Sequence, residues 1–137
     1  MRALPLIVLV SIAVTACASH GDRGAMKQKQ RPVLLKKDAQ VLFGSPAYCS
    51  QPATIELAKV RAATRQGQTI EEEGLRPGTA RYRLLFAQMH KLVIAACAET
   101  ARDVGFDLVV RSGDIRDAGG RNVGDMTKQL IKNLRTR

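Results

Sequence analysis

Three cysteines, two histidines, an acidic triplet and a cluster of late glycines are the residues that invite a chemical reading. The cysteines are Cys17, Cys49 and Cys97, and no two of them form a C-x-x-C pair. Thiol catalysis needs a lowered pKa and a base within reach, and the histidines, His20 and His90, supply no matching partner in the sequence. His90 falls near the apolar stripe of a helical pattern and reads as an ordinary helical histidine, because His20 is too far up the chain to complete a metal set. Glu71-Glu72-Glu73 suggests a cation site, yet three consecutive carboxylates on a helix point in three directions, so the triplet reads as a solvated turn. Gly113, Gly119, Gly120 and Gly124 do not spell a phosphate cradle: no G-x-G-x-x-G opens a helix after a strand and no Walker lysine follows. Neither a nucleophile–base pair, nor a carboxylate dyad, nor a metal set can be assembled from these residues. The expectation is a non-enzymatic protein with no cofactor and no metal.

Cys17 has a different character. It follows Arg2, an apolar run from Leu4 to Val14 and the small residues of Val14-Thr15-Ala16-Cys17. The run is too short for a stable bilayer span and has the form of an export leader, residues 1–16. The tetrad looks like a bacterial lipobox, in which the cysteine sulfur takes diacylglycerol and several acyl chains fix the protein to a membrane, at ~0.8 kcal/mol per buried CH₂. Ala18 stands where an aspartate would signal inner-membrane retention, which favours the periplasmic face of the outer membrane. Cys49 and Cys97 then form an even pair in an oxidising compartment. A bridge would close a loop of about 50 residues, worth roughly 4 kcal/mol on the chain-entropy account. The alternative is that Cys97 is a small apolar residue on a helix.

The chain carries 22 Lys and Arg against 12 Asp and Glu, a formal charge of +10. Such a balance in the cytosol would point to nucleic acid. With an export leader it points instead to anionic lipid, cell-wall carboxylates or acidic client segments, or to a solvated basic surface.

The elements follow from pattern. Residues 17–50 read as a lipidated flexible tether: Ala18 to Gln30 is polar and basic, and Arg31 to Gly44, with Val33, Leu34, Leu35, Val41, Leu42 and Phe43, reads as an edge strand or a docking segment and is assigned no firm structure. Residues 51–137 form the folded domain. Ala53 to Val60 reads as a strand with imperfect apolar sorting. Arg61 to Thr64 begins a short helix or turn, and Thr69-Ile70-Glu71-Glu72 fits a capping box opening one helical turn. Thr79 caps a long helix, Ala80 to Val104, whose stripe includes Leu85, Met89, Leu92, Val93, Ala96, Cys97, Thr100, Ala101 and Val104. That length, roughly 37 Å, leads us to expect part of the stripe to pack on another subunit. Gly105 ends the helix, and Phe106-Asp107-Leu108-Val109-Val110 is a buried strand. Ile115-Arg116-Asp117 is a further short strand. Asp125 caps a last helix with Met126, Leu130, Ile131 and Leu134 on its apolar side.

Three stretches in order, Ala53 to Val60 (ATIELAKV), Gly105 to Val110 (GFDLVV) and Asp125-Met126-Thr127 with Leu130, Ile131 and Leu134, resemble the Skp/OmpH family of periplasmic chaperones. The resemblance implies an α+β fold: a small β body with one long helix, a short or broken first arm and a short C-terminal helix, completed by oligomerisation into a trimer. It implies Phe106, Leu108 and Val110 in the shared oligomer core. It also implies binding of unfolded or assembling envelope proteins. Independently of the resemblance, the basic residues Arg81, Arg83 and Lys91 on the long helix are expected to attract acidic clients or lipid, and the export leader argues against nucleic acid as a partner. Only about 45 residues separate the first strand from Gly105, so the family's long client-enclosing arms are absent. The alternative is a small structural lipoprotein subunit of an envelope or secretion complex.

Overall fold

A computed structural model describes residues 31–136. Cys17 and the leader lie outside the described residues. The fold is mixed α+β: β1 (Leu34–Leu35), β2 (Val41–Gly44), β3 (Pro52–Ile55), α1 (Leu57–Ala62), α2 (Arg65–Glu72), α3 (Ala80–Val104), β4 (Leu108–Arg111), β5 (Ile115–Asp117), β6 (Gly124–Asp125) and α4 (Thr127–Arg135). Four strands make the main sheet in the order β2-β4-β3-β6. β3 runs parallel to β4 and to β6, whereas β2 is antiparallel to β4. Helices α1 to α3 form the crossover between the parallel neighbours β3 and β4.

Successive strand residues face opposite sides, and β4 uses both. Val109 joins Ala53, Ile55, Val93, Ala96, Cys97 and Leu130 in the core beneath the helices. Leu108 and Val110 join Val33 and Cys49 in a second cluster, with Leu35 and Ile115 packed against it. The small antiparallel pair β1–β5 contributes Leu35 and Ile115 to this second cover. A strand buried on both faces reads as the continuous apolar run that β4 is.

The long helix lies where its pattern puts it. Thr79 Oγ1 accepts from Tyr82 N, and Gly105, at φ 91°, closes the helix with its N–H donating to Ala101. The left-handed conformation is the reason for glycine there. Most of the stripe is covered by this chain itself: Met89, Val93, Ala96, Cys97, Thr100 and Ala101 are buried, Leu85 and Leu92 are half-buried, and Val104 is 42 % exposed. Likewise Leu108 and Val110 are already fully buried within the chain, and Phe106 is half-buried.

Elsewhere the structure corrects the sequence reading. The strand expected from Ala53 to Val60 stops at Ile55, and Leu57 starts a helix. Leu57 and Val60 are both buried, at the three-residue spacing that puts two side chains on one face of a helix. The capping box at Thr69 does not open a helix. Thr64 does, its Oγ1 accepting from Gly67 N, while Thr69 lies inside α2 and donates to Arg65 O. The expected tether also ends earlier than Ser50. Residues 33–49 build β1 and β2 and bury Val33, Leu42 and Cys49. Asp125 does serve the last helix, its Oδ1 accepting from both the N–H and the hydroxyl of Thr127.

Candidate binding surface

Helices α2 and α3 form an antiparallel hairpin joined by the turn from Glu73 to Thr79. Its root packs on the body and its tip does not. No residue of α2 is buried, nor is any residue of α3 before Met89. Between the two helices lie Ile70 and Phe86, half-buried against the core, with Tyr82 stacked on Phe86 and the Arg61 guanidinium 4.9 Å from the Phe86 ring centroid. The outer side of α3 carries Leu84, 60 % exposed, between the exposed Arg83 and Lys91. Arg81 is paired with Glu73, whereas Arg83 and Lys91 form no ion pair among the described residues. The three basic residues singled out in the sequence thus share one hairpin helix, and two of them present free charge to solvent. From Gly74 to Ala98 the chain has no Asp or Glu, a signal in the sequence that marks this segment more sharply than the three residues did.

Among the described residues Cys49 and Cys97 are free thiols. They belong to separate clusters on opposite sides of the sheet, Cys97 beneath α3 and Cys49 against Leu108 and Val110. The bridge weighed for them is therefore absent, and the sheet itself stands between them. Burial pushes the Cys97 thiol up to about 11. Burial, with the hydrogen bond and negative charge of Asp107, pushes Cys49 up to about 12. Both stay protonated and unreactive near neutral pH.

Two aspartates that the motif search passed over do structural work. Asp107 accepts from Cys49 Sγ at 3.1 Å, Ser50 N at 2.6 Å and Gln51 N at 2.8 Å. Burial alone would raise its pKa; these donors outweigh it and hold the carboxyl below its usual range. Asp114, buried, takes two donors from Arg111 and the N–H of Gln40. Again burial opposes and Arg111 prevails, so its carboxyl is also lowered. The signal for Asp107 was present, since a carboxylate interrupting an apolar strand run needs partners.

His90 is half-buried on α3, and no group of three His, Cys, Asp or Glu able to hold a metal occurs among the described residues. No described helix is long and apolar enough to cross a membrane. Comparison with protein-family models, with curated proteins and with solved structures finds no match to this chain.

Proposed function

We propose that this protein is an outer-membrane-anchored, Skp/OmpH-like binding protein of the periplasm that holds unfolded or assembling envelope proteins without chemistry, as a homo-oligomer, most simply a trimer. The observation that carries this reading is the hairpin tip. A two-helix projection with no buried residue at its end, an exposed Leu84 and the unpaired cations Arg83 and Lys91 offers a client both apolar contact and charge. Cys17 supplies the anchor in this reading. The hairpin is short, with eight residues in α2, and that favours the second reading, a structural lipoprotein subunit with a few fixed partners.

Aggregation suppression of a denatured outer-membrane protein separates the two. A holding protein slows aggregation, and Arg83→Glu with Lys91→Glu reduces the effect at low salt. Loss of neither activity nor partners in that double variant sinks the client-contact role. Sedimentation equilibrium of the full chain in detergent tests the trimer, and mass spectrometry of its N-terminus tests acylation of Cys17.

A further inference from the structure

A cleft of about 460 Å³ opens at the end of the sheet where β3 and β6 begin, lined by Ser50, Gln51, Phe106, Arg121, Asn122, Val123 and Gly124. Two glycines clear the space for its principal side chains. A Cβ on Gly124 would lie 2.5 Å from the Phe106 ring, so the missing side chain lets that ring rest on the backbone as the apolar wall. Gly119, at φ 64°, would put a Cβ 2.7 Å from Arg121 Nη1. Arg121 is half-buried and donates Nη1 to the Ala118 carbonyl at 3.0 Å. Among the described residues it forms no ion pair, so the rest of its fork is left without a counter-charge. The nearby Asp107 carboxylate is already committed to Cys49, Ser50 and Gln51. Val123, 42 % exposed, is an apolar residue at the rim, and Gln51 and Asn122 add amides.

From this combination we infer that the cleft binds a carboxylate joined to an apolar group: the Arg121 fork takes the carboxylate, Phe106 and Val123 take the apolar part, and the amides serve an adjoining peptide-like group. A planar guanidinium matches a carboxylate with two parallel hydrogen bonds. The same chemistry comes from the C-terminal residue of a polypeptide or from a free aliphatic acid. The cleft belongs to the β body and not to the hairpin, so it stands or falls separately from the client-holding reading.

The test titrates the full chain in detergent with acetyl-Ala-Val, its C-terminal amide, octanoate and inorganic phosphate, following the Val123 methyl signals by NMR. The free-acid peptide is expected to shift those signals and to bind at least about tenfold tighter than the amide, the scale of a lost charge-assisted pair. Octanoate matching the peptide assigns a free acid, whereas a peptide preference assigns a chain terminus. Arg121→Gln should weaken acid binding about tenfold, with Arg121→Lys keeping part of it. Val123→Ala, at an exposed site that leaves the fold intact, should weaken the Val-ended peptide and spare an Ala-ended one. Equal binding of acid and amide, or phosphate binding as tightly as the peptide, overturns the assignment without recourse to any variant.

Discussion

The two halves of α3 are one continuous helix under two different regimes. From Met89 onward six residues are buried against the sheet, α1 and α4; before Met89 none is. The C-terminal half is held by apolar burial, at roughly 25 cal/mol per Å². The N-terminal half is held by the Thr79 cap, the Arg81–Glu73 pair and the Tyr82–Phe86 stack, terms of about 1 kcal/mol or less each. A binding surface can be carried by the second kind of structure because it has no core to lose when its outward residues change.

That contrast can be broken from the body side first. Leu108→Asp would place an unpaired carboxylate among Val33, Cys49 and Val110, costing more than about 4 kcal/mol. Loss of the folded circular dichroism signal at 25 °C is the expected result. A folded variant would mean that the second cluster is dispensable.

Titration acts on the body as well. The carboxyls of Asp107, Asp114 and Asp125 are all lowered in the folded chain. Their contribution is fully present above the unfolded carboxylate value of about 3.9 and is lost as pH falls through the lowered folded values. The thiols are raised, so theirs is present below about 8.5 and is lost as pH rises toward about 11 and about 12. Urea midpoints should therefore hold level between roughly pH 4 and 8.5 and decline outside it. Asp107→Asn should flatten the acid limb.

Smaller effects belong to the hairpin. A side chain at Gly67 would run into the Arg61 carbonyl, so Gly67→Ala forces α2 away from the end of α1, at about 1–3 kcal/mol. Hydrogen exchange should rise in α2 and the first turns of α3, with β4 and α4 unchanged. Thr79→Ala should cost ~0.5–1 kcal/mol, at the lower end for a helix cap, and Leu84→Ala less than about 0.5. Leu84→Ala is thus the variant that can test client contact free of any stability change.

The sequence made the same body legible to different degrees. α3 could be delimited to the residue because its cap, its stripe and its terminal glycine agree. The step from β3 into α1 was misread because strand and helix share one short apolar run, and the turn between them is fixed from afar: Glu56 N donates to Thr127 Oγ1, 71 residues on. β1 and β2 could be placed no more closely than an edge strand or docking segment for a similar reason. Val33, Leu34 and Leu35 are split from Val41, Leu42 and Phe43 by Lys36-Lys37-Asp38, and their order comes from pairing with β5 and β4. At the candidate surface, charge was legible and exposure was not: Arg81, Arg83 and Lys91 look alike in the sequence, and only the fold shows Arg81 engaged with Glu73. The Arg121 cleft left no mark, since its parts come from three separated segments.

The carboxylate of Asp107 joins partners 56 to 58 residues earlier in the chain. The same distance separates β3 from β4, with helices between that pack on a sheet not yet made. A chain emerging N-terminus first from synthesis presents β2 and β3 without the strand that lies between them in the sheet. Such non-local closure slows folding, because loop entropy is lost before any contact repays it. The sheet is thus incomplete for as long as β4 is missing, with two apolar strands unpaired. The sheet can close only once residues 107–111 are present, and the buried half of α3 has its packing surface only then.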